Sequence, residues 1–401
     1  MAGAGFPEVA DLPSRPEWPD PLVFLDGRRV STHEDWAQRK AELRDLFQAY
    51  MYGRLPSQPR FTLMRPDRVD AGYLGGKATR KDLTIAIRLG QPRSTAVNLL
   101  VVIPNKRTRP APVVLGTNFH GNHTALNDPT IPLPTAWMPA GGPGVVANKA
   151  TDAGRGKEVG VWSIEAAVDR GYAVATFYCG DVVPDRPLPG IGAEPQAPRE
   201  VDQAPALAAW AWGLMRAVDA LRGDPDLDKN RIIVVGHSRM GKAALLAGAF
   251  DDRVALTIAH QAGCGGSAPS RGKVGEQVKQ INDRFPHWFG HRFKEFNDNV
   301  DRLPFDQHCL VALAAPRRVL FTNATEDTWA NPAGQFDVLK AADPVYRLLG
   351  VAGIDPAAPM PPVDTPVGDR LAYQIRPGKH SMEPRDWTVW LDHADKHLGK
   401  P

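Results

Sequence analysis

Between Arg231 and Leu245 the chain reads Arg-Ile-Ile-Val-Val-Gly-His-Ser-Arg-Met-Gly-Lys-Ala-Ala-Leu, an apolar strand-like run leading straight into a helical one. A serine at such a junction sits on a sharp turn, with its hydroxyl raised above a sheet at a helix N-terminus. That is the setting of an activated nucleophile. The usual spacing puts glycine two residues before and two after the serine. Here Met240 holds the second place and Gly241 follows one residue later. An ordinary strand-to-helix turn with Ser238 as N-cap has the same local pattern. Arg239 and Lys242 argue beyond it. Two cations in a first helical turn oppose the macrodipole, at about 0.3–1 kcal/mol each, and broken local rules gather at functional sites. Positive charge there stabilises a developing oxyanion.

A serine nucleophile needs a base and an acid, which on a strand–turn–helix scaffold follow it in the order acid, histidine. The strand-like run 319–323 ends in Ala324-Thr-Glu-Asp-Thr-Trp329, with Glu326 and Asp327 at its C-terminal end. Ile375-Arg-Pro-Gly-Lys-His380 places His380 between the last strand and the last helix. His380 would take the serine proton, while Asp327 holds the imidazole tautomer and stabilises its cation. Each alone is an ordinary loop residue; their joint order favours a triad. Other spacings are weaker. His120-Gly-Asn-His123 and His287-Trp-Phe-Gly-His291 are metal-like but lack the metalloprotease glutamate. Gly142-Pro-Gly144 with Ala147 follows no strand and is interrupted by proline. Neither metal nor cofactor is expected. The stretch 117–122 reads as a second pocket wall or a plain turn.

Strands and helices must alternate to carry these loops. Helices are predicted at 32–51, 163–170, 205–221, 240–250 and 384–397. Strands are predicted at 83–89, 97–103, 113–119, 172–178, 231–235, 254–260, 319–323 and 371–375. Such alternation predicts an α/β fold with a mostly parallel sheet wrapped by helices. No repeat or linker breaks 32–401, which reads as one domain after an extended, proline-rich lead at 1–31. Long loops at 120–160, 180–204 and 264–308 follow strand ends, where open α/β sheets place their sites.

Composition bounds the rest. The 401 residues are 43% hydrophobic and 23% charged, which excludes disordered, collagenous and coiled-coil chains. Lys plus Arg (48) against Asp plus Glu (45) is too balanced for a nucleic-acid binder. No run reaches the roughly 18 apolar residues of a membrane span, and three cysteines without metal spacing suggest no disulfide framework. Proline (38) is about twice its usual share of roughly 5%, and with glycine (37) it marks long ordered loops. Such loops frame a shallow site suited to a polymer.

Taken together, the chain resembles carbohydrate esterase family 15, the glucuronoyl esterases, and particularly its bacterial branch, over about residues 35–399. The resemblance is carried by Asn118-Phe-His-Gly-Asn-His-Thr124, Gly180-Asp181 with Pro184-Asp185, and Ala209-Trp-Ala-Trp-Gly213. It continues through Gly236-His-Ser-Arg-Met-Gly-Lys242, Gly263-Cys-Gly-Gly266 and His287-Trp-Phe289. Pro304-Phe-Asp-Gln-His308, Ala315-Pro-Arg317, Glu326-Asp-Thr-Trp-Ala-Asn-Pro332 and Gly378-Lys-His380 complete it. The serine-arginine-x-glycine-lysine turn accounts for the displaced glycine.

This resemblance implies an α/β-hydrolase fold, a three-layer sandwich, and cleavage of esters between glucuronic acid on xylan and lignin alcohols. It implies Ser238 as nucleophile, His380 as base and Arg239 as oxyanion stabiliser. Lys242, Glu276 and Trp329 match positions that contact the sugar hydroxyls. Some members place the triad acid just before the G-x-G-G turn, where this chain has Gln261. An amide cannot act as that carboxylate, so the role falls to Asp327, with Glu326 the less favoured substitute. The fungal members' disulfides are not suggested by three cysteines. The implied partner is glucuronoxylan or a lignin–carbohydrate ester, with no nucleic acid and no membrane, and a monomer is expected. Such a polymer cannot enter a cell, so export to the periplasm or medium is implied. Residues 1–8 show neither a cationic nor an apolar leader segment, as in a mature or trimmed chain. Two rival readings stay open: an acetyl-xylan or other small-ester esterase on the same scaffold, and a non-catalytic glycan-binding protein.

Overall fold

Runs such as Val113-Val-Leu115 and Ile232-Ile-Val-Val235 are too apolar to face water on either side, so both faces of their sheet must be covered. The computed structural model describes residues 5–56, 61–88, 94–188 and 204–401. Its strands are β1 (Phe61–Tyr73), β2 (Ala78–Arg88), β3 (Ser94–Pro104), β4 (Ala111–Asn118), β5 (Val145–Val146) and β6 (Lys149–Ala150). They continue with β7 (Ala173–Tyr178), β8 (Leu227–His237), β9 (Leu256–His260), β10 (Arg318–Ala324), β11 (Val367–Gly368) and β12 (Leu371–Arg376). The helices are α1 (His33–Phe47), α2 (Asn122–Ala125), α3 (Val159–Trp162), α4 (Ile164–Asp169) and α5 (Ala206–Arg222). They are followed by α6 (Arg239–Phe250), α7 (Val278–Arg284), α8 (Gln307–Ala312), α9 (Pro332–Leu348) and α10 (Pro384–Leu398).

Ten strands form one sheet in the order β1-β2-β3-β7-β4-β8-β9-β10-β12-β11. From β7 to β12 the pairs are parallel, and antiparallel strands extend both ends. Val113, Leu115, Ile232 and Val234 point into one core with Trp210 of α5, Leu245 of α6 and Phe336 of α9. Val114 and Ile233 point the other way, against Trp162, Ile164, Trp387 and Trp390 of α3, α4 and α10. The period of two along each strand thus builds helix, sheet and helix layers, the α/β-hydrolase architecture.

The sequence pattern does not predict strand β1, helix α9 or several shorter elements. Strand β1 carries Pro66 where its register with β2 shifts, a place where an edge strand tolerates the missing N–H. Helix α9 contains Pro344 and Gly334, which mask its period, although Asn331 caps it through Gly334 N–H at 3.0 Å. The predicted helix 32–51 is α1, closed by a Thr32–Asp35 capping box, running on into a π turn at Gln48–Tyr52. The loop expected at 264–308 holds α7, the start of α8 and two 3₁₀ turns. Of the loop expected at 180–204, residues 189–203 lie outside the described residues. From residue 5 the lead lies against the protein, burying Val9, Leu12, Phe24 and Val30. Its backbone carbonyls take hydrogen bonds from Tyr50, Arg271 and His308.

Candidate active site

The turn from β8 into α6 bends at Ser238, whose φ of 56° and ψ of −126° lie outside ordinary L-residue conformations. The surroundings hold it there. Ser238 N–H donates to the His260 carbonyl on β9 at 2.9 Å, and its own carbonyl accepts from Lys242 N–H at 3.2 Å. A Cβ on Gly236 would lie 2.0 Å from the Met240 carbonyl, and one on Gly241 would lie 2.9 Å from the Gly236 carbonyl. The displaced glycine therefore faces the first one across the turn.

Asp327 follows β10 and His380 follows β12, strands paired in parallel register. Thr325 and Glu326 N–H groups donate to the carbonyls of Arg376 and Gly378, both at 2.9 Å, stitching the two loops together. Asp327 Oδ2 lies 2.7 Å from His380 Nδ1, with the carboxylate side chain 5% exposed and the imidazole 42%. Glu326 points into solvent. The His380 ring packs 4.5 Å from that of His237, the residue before Ser238. Burial, reinforced by the fields of His260, His380, Arg239 and Arg376, pushes the pKa of His237 well below the usual imidazole range. His237 thus stays neutral beside the His380 ring.

Arg239 extends from the first turn of α6 to Asp185, with Nε 2.8 Å from Oδ2, and lays its guanidinium 4.4 Å from the centre of the Phe119 ring. The other oxygen, Oδ1, accepts from His287 Nε2 at 2.8 Å and Trp288 Nε1 at 2.7 Å. Burial alone would raise the Asp185 pKa. The His287 hydrogen bond, the Arg239 charge and the Trp288 hydrogen bond outweigh it and hold the carboxyl below its ordinary value. Asp185 thereby fixes the cation that α6 carries one residue after Ser238.

Lys242, one turn on, is buried and donates to the Ala262 and Cys264 carbonyls. Burial lowers its pKa, against the opposing field of Glu276. Glu276 N–H donates to the Trp329 carbonyl at 2.9 Å, so the segment after Gly275 is tied to the turn that carries Asp327. The Trp329 indole is 49% exposed. All seven residues singled out in the sequence sit on this C-terminal edge of the parallel strands or on loops tied to it. The arrangement has the parts of acyl transfer: a strained serine, an oriented imidazole and a fixed cation.

A family model described as glucuronyl esterase, fungi, matches residues 162–350. A carbohydrate esterase from an unknown prokaryotic organism is 44% identical over 389 residues, 95% of this chain and 89% of that protein. The chain belongs to carbohydrate esterase family 15, the glucuronoyl esterases. It is accordingly a carboxylic ester hydrolase. Other members of this family agree. The 4-O-methyl-glucuronoyl methylesterase of Schizophyllum commune is 30% identical over 83% of this chain and 74% of its own. A solved family 15 esterase from the marine bacterial metagenome, described as promiscuous, superposes with a TM-score of 0.88 at 42% identity, covering 98% of this chain and 100% of that one. The glucuronoyl esterase from Solibacter usitatus does so with a TM-score of 0.84 at 37% identity, covering 96% and 98%.

Sequence reasoning about this family 15 chain missed the roles of Asp185, His287 and Trp288. His287 stands in a metal-like spacing, yet its Nε2 is hydrogen-bonded to Asp185. His120, of the other such pair, bonds Glu158 through Nδ1 at 2.7 Å. The signal available was the misplaced cation itself. An arginine in a first helical turn calls for an anion, and aspartates close in space but distant in sequence cannot be ranked from a string.

Proposed function

We propose that the chain hydrolyses esters of glucuronic acid borne on xylan with lignin alcohols, using Ser238 as nucleophile, His380 as base and Asp327 as the acid. The observation that carries this reading is the Asp327–His380 bond beside the strained Ser238 turn. With Nδ1 committed to Asp327, His380 has Nε2 free to take the Ser238 proton as Oγ attacks the uronate carbonyl. Arg239, oriented by Asp185, stabilises the resulting oxyanion. Collapse expels the alcohol, which receives the proton from His380, and leaves a glucuronoyl-serine ester. Water, deprotonated by the same imidazole, then releases glucuronic acid and restores Ser238. Lys242 spends two of its three donors on backbone carbonyls, leaving one for a sugar hydroxyl. The Glu276 carboxylate and the exposed Trp329 indole supply an acceptor and an apolar wall with an N–H.

Turnover of benzyl glucuronate tests the reading. Ser238→Ala is expected to abolish it while uronate binding remains measurable by calorimetry; undiminished turnover in that variant sinks the assignment. The promiscuity ascribed to the solved metagenomic relative favours a second, broader reading of ester range. Parallel assays on methyl glucuronate, its non-acidic hexose analogue and an acetylated sugar separate the two. A polymeric substrate of this kind places the enzyme's work outside the cytoplasm, in periplasm or medium.

A further inference from the structure

We propose that Gln261 positions His380 by gripping the peptide groups on both sides of it. The inference rests on the reading of His380 as the base. Gln261 directly follows β9, which lies between β8, which delivers Ser238, and β10, which delivers Asp327. Its backbone is pinned at a φ of +49°, with its N–H donating to the Thr322 carbonyl on β10 at 2.9 Å. A non-glycine residue in this region is strained and persists only where its surroundings determine it. The side chain is buried, and its carboxamide reaches across to the histidine loop. Oε1 accepts from Ser381 N–H at 2.9 Å, and Nε2 donates to the Lys379 carbonyl at 3.4 Å. These are the peptide groups that flank His380.

The loop has other anchors, so the contribution of Gln261 is separable from folding. The Ser381 carbonyl lies 2.8 Å from both His260 Nε2 and Arg376 Nη2, and Arg376 is paired with Asp386 at 2.7 Å. Those groups hold the far side of the loop. Gln261 holds the span that aims the imidazole, with Asp327 fixing only its rotation. Aim matters because a misplacement of about 1 Å can cost on the order of a hundredfold in rate.

Both halves of the amide are used, so the chemistry of the position can be tested. A carboxylate accepts from Ser381 N–H but has no hydrogen for the Lys379 carbonyl, whereas a protonated carboxyl has both functions. In Gln261→Glu the grip is therefore expected to close only in acid. The titratable and charged groups around the position are Lys379 and His380 on the loop, Glu383 beyond it, Asp327 after β10, His237 on β8, Lys242 on α6, His260 on β9, and Arg376 with Asp386 beneath. All are present in the unaltered enzyme, so the variant-to-parent ratio at each pH removes their own titration.

The experiment measures kcat and KM on benzyl glucuronate from pH 5 to 9 for the unaltered enzyme, Gln261→Met and Gln261→Glu, with melting curves alongside. Gln261→Met is expected to lower kcat roughly ten- to hundredfold, with KM changed by less than about twofold. Gln261→Glu is expected to be similarly impaired at pH 8, because His380 Nδ1 is already committed to Asp327. The new carboxylate, though it stands where some family members carry the acid, only loses the bond to Lys379. Its ratio to the parent is expected to climb at least about fivefold toward pH 5 as the buried carboxyl protonates. Unchanged kcat in Gln261→Met, or a flat ratio for Gln261→Glu, overturns the proposal. So does melting of Gln261→Met below the assay temperature, which would assign the residue to the fold alone. Parent turnover that survives Ser238→Ala instead overturns the esterase reading beneath it.

Discussion

Asp327 and Glu326 are neighbours in the chain with opposite surroundings. The Asp327 carboxylate is buried against His380 Nδ1, while Glu326 faces water and contributes only its N–H to Gly378. Replacing Asp327 by asparagine keeps the shape but removes the charge and favours the wrong imidazole tautomer. The expected loss in kcat is on the order of 10⁴-fold, by comparison with the same change in a serine triad. Glu326→Gln is expected to stay within about threefold, since a solvated carboxylate several bonds from the imidazole is screened. Steady-state rates on benzyl glucuronate check both, and a large loss confined to Glu326→Gln would mean the acid is misassigned. The conflict of Arg239 with its helix dipole resolves at the same scale. Asp185 supplies the opposing charge, from a segment more than fifty residues upstream.

At the scale of elements, the site exists because β8, β9, β10 and β12 are consecutive in space and all end at one edge. The strand-to-helix crossing at Ser238 needs Gly236, where any Cβ would enter the Met240 carbonyl. Gly236→Ala is expected to destabilise by about 1–3 kcal/mol through overpacking and to reduce turnover by displacing the serine. A shifted urea midpoint together with lost activity checks this, and an unshifted midpoint with full activity would contradict it. Most of these elements were legible in the sequence, because apolar runs of strand length and apolar stripes of helical period are local properties. Strand β1 and helix α9 were not, since Pro66 and Pro344 break the local pattern that tertiary pairing and packing then override.

The whole molecule carries several imidazoles that burial keeps below their ordinary pKa: His123, His237, His260 and His393, the last down to about 3. Between about 6.5, where free histidine titrates, and these depressed values, the unfolded chain binds protons that the folded one refuses. Stability therefore falls as pH falls through that window. His308, raised through its Cys309 neighbour against the cost of burial, and Asp181, raised by burial to about 6, act in the opposite direction. The depressed imidazoles outnumber them. The melting temperature is expected to be lower at pH 5 than at pH 8, and a higher value at pH 5 would reverse the balance. Among the described residues, no helix is long and apolar enough to cross a membrane.

By itself the sequence determined what is local or ordered along the chain. That includes the strand–serine–helix junction, the succession of Ser238, an acid and His380, and the alternation that demands a parallel sheet. The sequence favoured Asp327 over Glu326, and tertiary structure brings it against the imidazole. Tertiary structure alone decided which aspartate anchors Arg239 and that Gln261 reaches the loop of His380. Each of these depends on sheet order and register, which bring residues tens to more than a hundred positions apart within 3 Å or so of each other. Spacing along a string carries no measure of that distance.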